Sequence, residues 1–171
     1  MNKILSILLF TVIACSLQAQ SQVETLLNDA KKFNVFFIEG NFDEYIDMTI
    51  PSVVEIAGGK EIMVTNAKES FDMTTKSGLV YESIEPLKPS KFMFAGKDLQ
   101  SILPQNIITK IGETRISQKV YFLASSSDEG KTWTFLNLEP YDTESIKTFV
   151  PNISEELEVP VSETPVVVED K

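Results

Sequence analysis

The stretch Thr114–Leu138, TRISQKVYFLASSSDEGKTWTFLNL, decides the fold class. Its first part is rich in β-branched and aromatic residues, which favour a strand. The residues DEGK at 128–131 then give a turn signal, and TWTFLNL at 132–138 returns to strand-forming residues. Two strand patterns joined by a short glycine-containing turn predict an antiparallel hairpin.

Further strand patterns lie immediately upstream of this hairpin. Apolar and polar residues alternate in LVYESIEPL (79–87), in KFMFA (91–95) and along LQSILPQNIITKI (99–111). A period of two is that of a strand with two different faces. Pro104 marks an edge or a bulge, because proline cannot donate to a strand ladder. The segments from residue 79 to residue 138 therefore predict one meandering antiparallel sheet.

Helical patterns occupy the region before Gly78. The segment SVVEIA (52–57) is compatible with either a strand or a helix. Helices followed by a run of strands predict an α+β fold, with three N-terminal helices packed on one curved antiparallel sheet. Apolar residues at helical spacing place the three helices at 23–38, from Asn41 to before Pro51, and at 60–76.

The N-terminal residues 1–19 have the pattern of a secretory signal peptide. Lys3 precedes an apolar run at 4–14 that is too short to anchor stably in a bilayer, and a polar segment follows. We expect a periplasmic or secreted protein beginning near Gln20. Alternatively, VIAC ending at Cys15 resembles a lipobox, which predicts a lipidated Cys15 and an outer-membrane lipoprotein. Contact with a membrane is expected only in that second case.

The C-terminal residues 154–171 differ from the domain at 22–150. They contain six acidic residues, one lysine, two prolines and no aromatic residue. Such a composition predicts a disordered or loosely attached acidic tail. Its valines also suit a segment that pairs with the edge of a partner's sheet.

Composition excludes several classes of function. The 171 residues carry a net charge of −10, which argues against nucleic acid and anionic membrane surfaces. The chain has no histidine and one cysteine, so zinc sites of the usual kind and Ser–His nucleophiles are excluded. Asp43 and Asp47 share a helix face, but without EF-hand spacing they indicate a solvated helix end. We expect neither a metal nor a cofactor.

The hairpin turn carries a recognisable pattern, Ser126-x-Asp128-x-Gly130-x-x-Trp133. It resembles the Asp-box of sialidases. Asp128 is suited to accept hydrogen bonds from backbone N–H groups of the turn, Gly130 to adopt positive φ, and Trp133 to cover the hairpin. There is one copy in a chain too short for a propeller, and Arg115 is the sole arginine. We interpret the motif as structural, and the alternative is a sugar or calcium site.

The order of helices and strands resembles the nuclear-transport-factor-two-like superfamily, which includes polyketide cyclases and ketosteroid isomerase. The sequence GGKEI at Gly58–Ile62 looks like the opening of the third helix in many of its members, and the resemblance covers residues 22 to 140. It implies a cone-like domain with a pocket between helices and sheet, and a homodimer formed through the sheet. Candidate pocket residues are Tyr45, Tyr81, Tyr121 and Trp133.

Two functions remain open. The first is an exported, non-enzymatic binding or accessory module of a bacterial envelope, whose partner is a protein or a small apolar or glycan ligand. The second is a small isomerase or dehydratase that uses a buried carboxylate and a tyrosine, as the resemblance implies. The catalytic residues of that enzyme are not identified by the sequence, which offers Glu82, Glu85, Asp98 and Glu113 on the strands and turns.

Overall fold

Helices lead the chain and an antiparallel sheet follows. The computed structural model describes residues 2–139, 141–161 and 163–168, with side chains from Gln20 onward except at position 143. The predicted signal peptide and Cys15 therefore lie outside the described side chains. The helices are α1 (Asn2–Glu39), α2 (Phe42–Asp47), α3 (Pro51–Ile56), α4 (Lys60–Lys76) and α5 (Thr143–Phe149); the strands are β1 (Leu79–Pro86), β2 (Met93–Ala95), β3 (Asp98–Ile111), β4 (Thr114–Ser126), β5 (Thr134–Asn137) and β6 (Val166–Val168).

The predicted α+β fold is confirmed. The strands form one strongly curled antiparallel sheet in the order β1-β3-β4-β5, with β2 added to β3 and β6 added to β4. The β3–β4 hairpin is its centre, paired continuously from Leu99↔Ser126 to Ile111↔Thr114. The ambiguous segment at 52–57 lies largely within α3, which begins at Pro51, a residue suited to the first helical turn.

Alternation along the central strands produces a different core on each side of the sheet. One side faces α1, whose Leu26, Ala30 and Phe33 are buried at helical spacing. We call the buried cluster on this side the inner core: Leu26, Ala30, Phe33, Leu99, Leu103, Val120, Phe122, Ala124, Trp133 and Phe135.

The opposite side of the sheet is also covered. Neighbouring residues of the same strands, such as Ile102 and Leu123, contribute to a second cluster with α5. We call this cluster the outer core: Ile50, Ile102, Tyr121, Leu123, Leu136, Leu138, Ile146, Val150 and Ile153. The sequence did not predict α5, whose seven residues are too few for a clear period. Its Asp142 N-cap accepts a hydrogen bond from the Ser145 N–H.

The described part of the acidic tail lies against the sheet. Leu157 and Val159 pack against the outer core. Glu163 pairs with Lys119 at 2.9 Å, and β6 pairs with residues 115–117 of β4. In this arrangement three consecutive valines occupy a part of the β4 edge that β5 leaves open. Residues 169–171 lie outside the described part.

Within the described part of the chain, no helix combines the length and hydropathy that crossing a membrane requires.

Candidate functional site

A cavity of about 140 Å³ lies between α1, α2 and the inner side of the sheet. Most of its wall is aromatic or aliphatic, and two asparagines supply polar groups. Its lining residues are Phe33, Asn34, Phe37, Tyr45, Tyr81, Ile84, Ile107, Phe122 and Asn137. We call it the aromatic cavity.

The aromatic rings contact one another around this cavity. Tyr45 of α2 stacks on Phe33 of α1 with ring centroids 4.3 Å apart. Phe37 lies one helical turn further along α1. Its ring centroid is 5.3 Å from that of Tyr45 and 5.1 Å from that of Tyr81. Such pairs stabilise a fixed ring arrangement beyond the area they bury. The two tyrosines therefore come from different elements but share Phe37 as a neighbour.

A β-bulge brings Tyr81 and Ile84 to the same side of β1. Residues three apart on a regular strand point to opposite faces. Here the register shifts between Tyr81, opposite Thr109, and Ser83, opposite Ile108. The extra residue, Glu82, reverses the alternation, so that both Tyr81 and Ile84 line the cavity.

One of the two lining asparagines, Asn34, is buried and bonded to a second buried amide, that of Gln105. Asn34 donates from Nδ2 to Gln105 Oε1 and, at 3.1 Å, to the Ile84 carbonyl oxygen. Gln105 is fully buried, and among the described residues its Nε2 has no hydrogen-bond partner. An unpaired buried amide is unfavourable. Both N–H donors of Gln105 Nε2 are thus unused next to an asparagine that lines the cavity.

The tyrosines of the cavity are neutral hydrogen-bonding groups. Burial, together with neighbouring Tyr81, raises the pKa of the Tyr45 hydroxyl far above its ordinary value. Burial also raises the pKa of Tyr81. Among the described lining residues there is neither an aspartate nor a glutamate. The arrangement can therefore hold and orient a ligand, but its lining supplies no carboxylate base.

Tyr121 and Trp133, the other predicted pocket residues, do not line this cavity. Tyr121 belongs to the outer core, on the opposite face of β4 from Phe122. Trp133 is buried in the inner core, where it stacks on Phe92 at 5.5 Å. Of the four predicted pocket residues, the structure thus brings Tyr45 and Tyr81 together at this cavity and places Tyr121 and Trp133 elsewhere. Strand alternation turns Tyr121 away from this cavity. Trp133 contacts α1 at Thr25 and Asp29, two to three turns before Phe37.

The candidate carboxylates also lie elsewhere. Glu82 pairs with Arg115 at 2.6 Å, and Glu85 and Glu113 are exposed. Asp98 begins β3, at the opposite end of that strand from Tyr81's partner Thr109. None of the four lines the aromatic cavity.

The 126–133 turn is a hydrogen-bonded unit. Asp128 Oδ1 accepts from the backbone N–H groups of Lys131 and Thr132 at 3.1 and 2.9 Å. Ser126 Oγ accepts from the Gly130 N–H at 2.8 Å and donates to Asp128. Gly130 has φ 88°. Ser126, Asp128 and Gly130 thus each have a structural role in the turn.

The turn also docks on α1. Gln22 and Thr25 donate to the Glu129 and Gly130 carbonyl oxygens at 2.9 and 2.6 Å. The Trp133 indole N–H reaches Thr25 Oγ1 at 3.3 Å. The sequence did not predict this role for Gln22 and Thr25, because polar residues on a helix usually indicate a face exposed to solvent.

The Asp43–Asp47 face is occupied by a lysine. Lys60 Nζ lies 2.8 Å from Asp47 and 3.6 Å from Asp43. The hydrogen bond with Asp47 raises the pKa of Lys60. In the parts of the chain that the structure describes, no group of three or more acidic, histidine or cysteine side chains is placed to hold a metal ion.

No family model matches the chain, and comparison with curated proteins and with solved structures finds no significant match.

Proposed function

We propose that this protein is an exported binding module that holds a small, flat, apolar ligand in the aromatic cavity. The observation that carries the proposal is the cavity itself. Its described lining residues include aromatic rings from the helices and the sheet and two asparagines, but no carboxylate. Ligand sites are typically apolar concavities with a few placed polar groups.

The cavity suits a ligand of about one ring. Its 140 Å³ is close to the size of an apolar cavity that binds benzene, about 150 Å³. The neutral hydroxyls of Tyr45 and Tyr81 and the amide of Asn34 can each exchange a hydrogen bond with a polar substituent. A single aromatic ring with one hydroxyl or carbonyl group therefore fits both the volume and the chemistry.

Two further observations support the wider assignment. Helices that precede a curled antiparallel sheet, with a cavity between them, are what a nuclear-transport-factor-two-like cone would have. Residues 1–19 have the composition of a signal peptide, which supports export, with lipidation of Cys15 as the alternative route. Binding is favoured over the isomerase because no described carboxylate lines the cavity beside the tyrosines.

The test is titration of the ¹⁵N-labelled protein with phenol, followed by NMR. We expect saturable shifts at residues of α1 and β1 that border the cavity. Ile107→Phe, which fills the cavity, should abolish them. Tyr81→Phe should weaken binding about three- to tenfold if its hydroxyl bonds the ligand.

The matched control is Tyr141→Phe, which removes a hydroxyl from an exposed tyrosine outside the cavity. It should leave phenol binding unchanged. The proposal is wrong if phenol causes no saturable shift at the cavity, or if Ile107→Phe binds phenol as well as the natural sequence does.

A further inference from the structure

A second, larger cavity lies at the other end of the sheet. It has a volume of about 310 Å³ and shares no lining residue with the aromatic cavity. It is formed where the start of α3, the β2–β3 turn, the facing ends of β4 and β5 and the residues after α5 meet. We call it the polar cleft. Its volume equals that of roughly ten water molecules.

Hydroxyl, amide and charged groups are among the groups that line the polar cleft. Ser125 and Ser127 line it, and within the described part of the chain their hydroxyls make no hydrogen bond. Lys97 and Asp98 contribute opposite charges, and Asn152 contributes an amide. These groups can both donate to and accept from a ligand.

Asp98 has unused hydrogen-bonding capacity. Its Oδ2 accepts one hydrogen bond, from Asn152 Nδ2 at 2.6 Å. Its Oδ1 is buried and receives no hydrogen bond from the described residues. A carboxylate can accept about four hydrogen bonds, and its terminal torsion has a broad range.

Asn152 is held in place by buried and cleft-lining side chains. Gln100 is fully buried and bonds the chain on both sides of Ile153. Its Nε2 donates to the Asn152 carbonyl oxygen at 3.3 Å, and its Oε1 accepts from the Ser154 N–H at 2.9 Å. Two independent contacts, Gln100 and Asp98, therefore position Asn152, and such preorganisation favours binding.

Aliphatic residues line the same cleft. Ile50 and Val150 of the outer core and the neighbouring Pro51 contribute to its lining. A lining that combines aliphatic side chains with hydroxyl, amide and carboxylate groups suits a sugar ring, which carries both C–H and hydroxyl groups.

We propose that the polar cleft is a saccharide-binding site in which Asp98 and Asn152 hydrogen-bond the sugar hydroxyls. This site is separate from the aromatic cavity and does not depend on the function proposed there. A neutral ligand fits best, because the carboxylate opposes an anion, Lys97 opposes a cation, and hydroxyl groups supply the donors that Asp98 lacks.

The test is NMR titration of the ¹⁵N-labelled protein with glucose, galactose, mannose and N-acetylglucosamine. Calcium chloride and inorganic phosphate serve as the charged probes. We expect at least one sugar to give saturable shifts confined to residues 97–98, 125–127 and 152. Asp98→Asn should weaken that binding about tenfold or more, as expected for a hydrogen bond to a charged group.

Two variants make the outcome decisive. Like Asp98→Asn, Glu113→Gln removes one negative charge, but from an exposed turn at the opposite end of β3. This variant should bind the sugar with unchanged affinity. Ser127→Leu adds bulk at an exposed position that lines the cleft and should block binding even if Asp98→Asn is poorly folded. The proposal is overturned if no sugar shifts the cleft residues, if Ser127→Leu binds normally, or if only calcium or phosphate binds there.

Discussion

Gly130 is the residue at which the 126–133 turn and α1 come closest together. A Cβ added there would lie 2.7 Å from Gln22 Cγ and 3.3 Å from the Trp133 ring. The φ of 88° adds the strain of the left-handed region. Gly130→Ala should therefore lower the free energy of unfolding by about 2–5 kcal/mol, left-handed strain plus overpacking. Chemical denaturation would measure it.

Gly78 provides a matched control for this prediction. Its φ is 87°, and a Cβ there would meet nothing within 4 Å. Gly78→Ala should show the left-handed strain alone, about 1–2 kcal/mol. Equal losses in the two variants would mean that the close approach to Gln22 contributes nothing to the turn's stability.

Asp128 should make stability depend on pH in the acid range. Desolvation raises the pKa of its carboxyl, but hydrogen bonds from Thr132, Ser126 and Lys131 outweigh that effect and lower it from 3.8 to about 2. Because the folded pKa is lowered, the stabilisation is complete above about pH 4 and is lost as the pH falls toward 2.

Asp128→Asn measures this contribution. At pH 7 it should lower stability by about 1–2 kcal/mol, comparable to the loss of a capping side chain. Urea unfolding at several pH values should show the difference from the natural sequence shrinking between pH 4 and pH 2, the window set by the two pKa values. A difference that stays constant over that range would contradict the assignment.

At the scale of elements, period and turn residues located the helices and the β3–β4–β5 meander. The same patterns could not predict features that depend on contacts with a neighbouring helix or strand. The bulge at Glu82 is visible only in the pairing of β1 with β3. Pro104 lies in the central strand β3. On one edge of β3, β1 pairs from Gln105 onward and β2 pairs up to Gln100, so Pro104 lies in the unpaired gap and its lack of an N–H costs no strand pairing there. α5 is short and folds on the outer core, so it has little local signal.

The β6–β4 pairing leads to a prediction about the tail. Removing residues 161–171 leaves Leu157 and Val159 on the outer core but exposes the β4 edge at 115–117. Hydrogen exchange should speed up at that edge and not in the β3–β4 centre. An exposed edge favours strand addition, so light scattering should show more self-association than in the full chain.

Glu163→Gln is the control for the truncation. It removes the ion pair with Lys119 and keeps β6. An exposed pair contributes about 0–1 kcal/mol, so exchange at 115–117 should change little. If the truncated chain exchanges like the full chain, β6 does not protect the edge.

At the scale of the molecule, the sheet separates two cores, and the chain's own C-terminal segment covers part of its outer side. The homodimer expected by analogy would need an exposed sheet face. α5 and residues 150–159 already lie on the β3–β4–β5 part of that face. Nearer β1, the outer side carries polar groups, including Ser117 hydrogen-bonded to Asn106.

The position of α1 predicts what processing would do. Its described contacts with the 126–133 turn begin at Gln22. A protein that begins at Gln20 should therefore have the same melting temperature as the full chain. A protein that begins at Ala30 should have a lower melting temperature, because it lacks Thr25 and Leu26. The proposed export predicts that the intact mass of the protein from its host corresponds to a start near Gln20 or to an acylated Cys15. A fall in melting temperature on removing residues 1–19 would contradict this prediction.

The sequence alone determined that helices precede the sheet, and it located the central hairpin and the 126–133 turn. These follow from local periodicity, backbone preference and composition. Tertiary structure alone decided which aromatic residues share a cavity. Tyr45 and Tyr81 meet because α2 packs on α1 and a bulge redirects β1, whereas alternation places Tyr121 on the other face. Contacts between distant segments depend on how the helices pack on the sheet, and local sequence patterns do not indicate that packing.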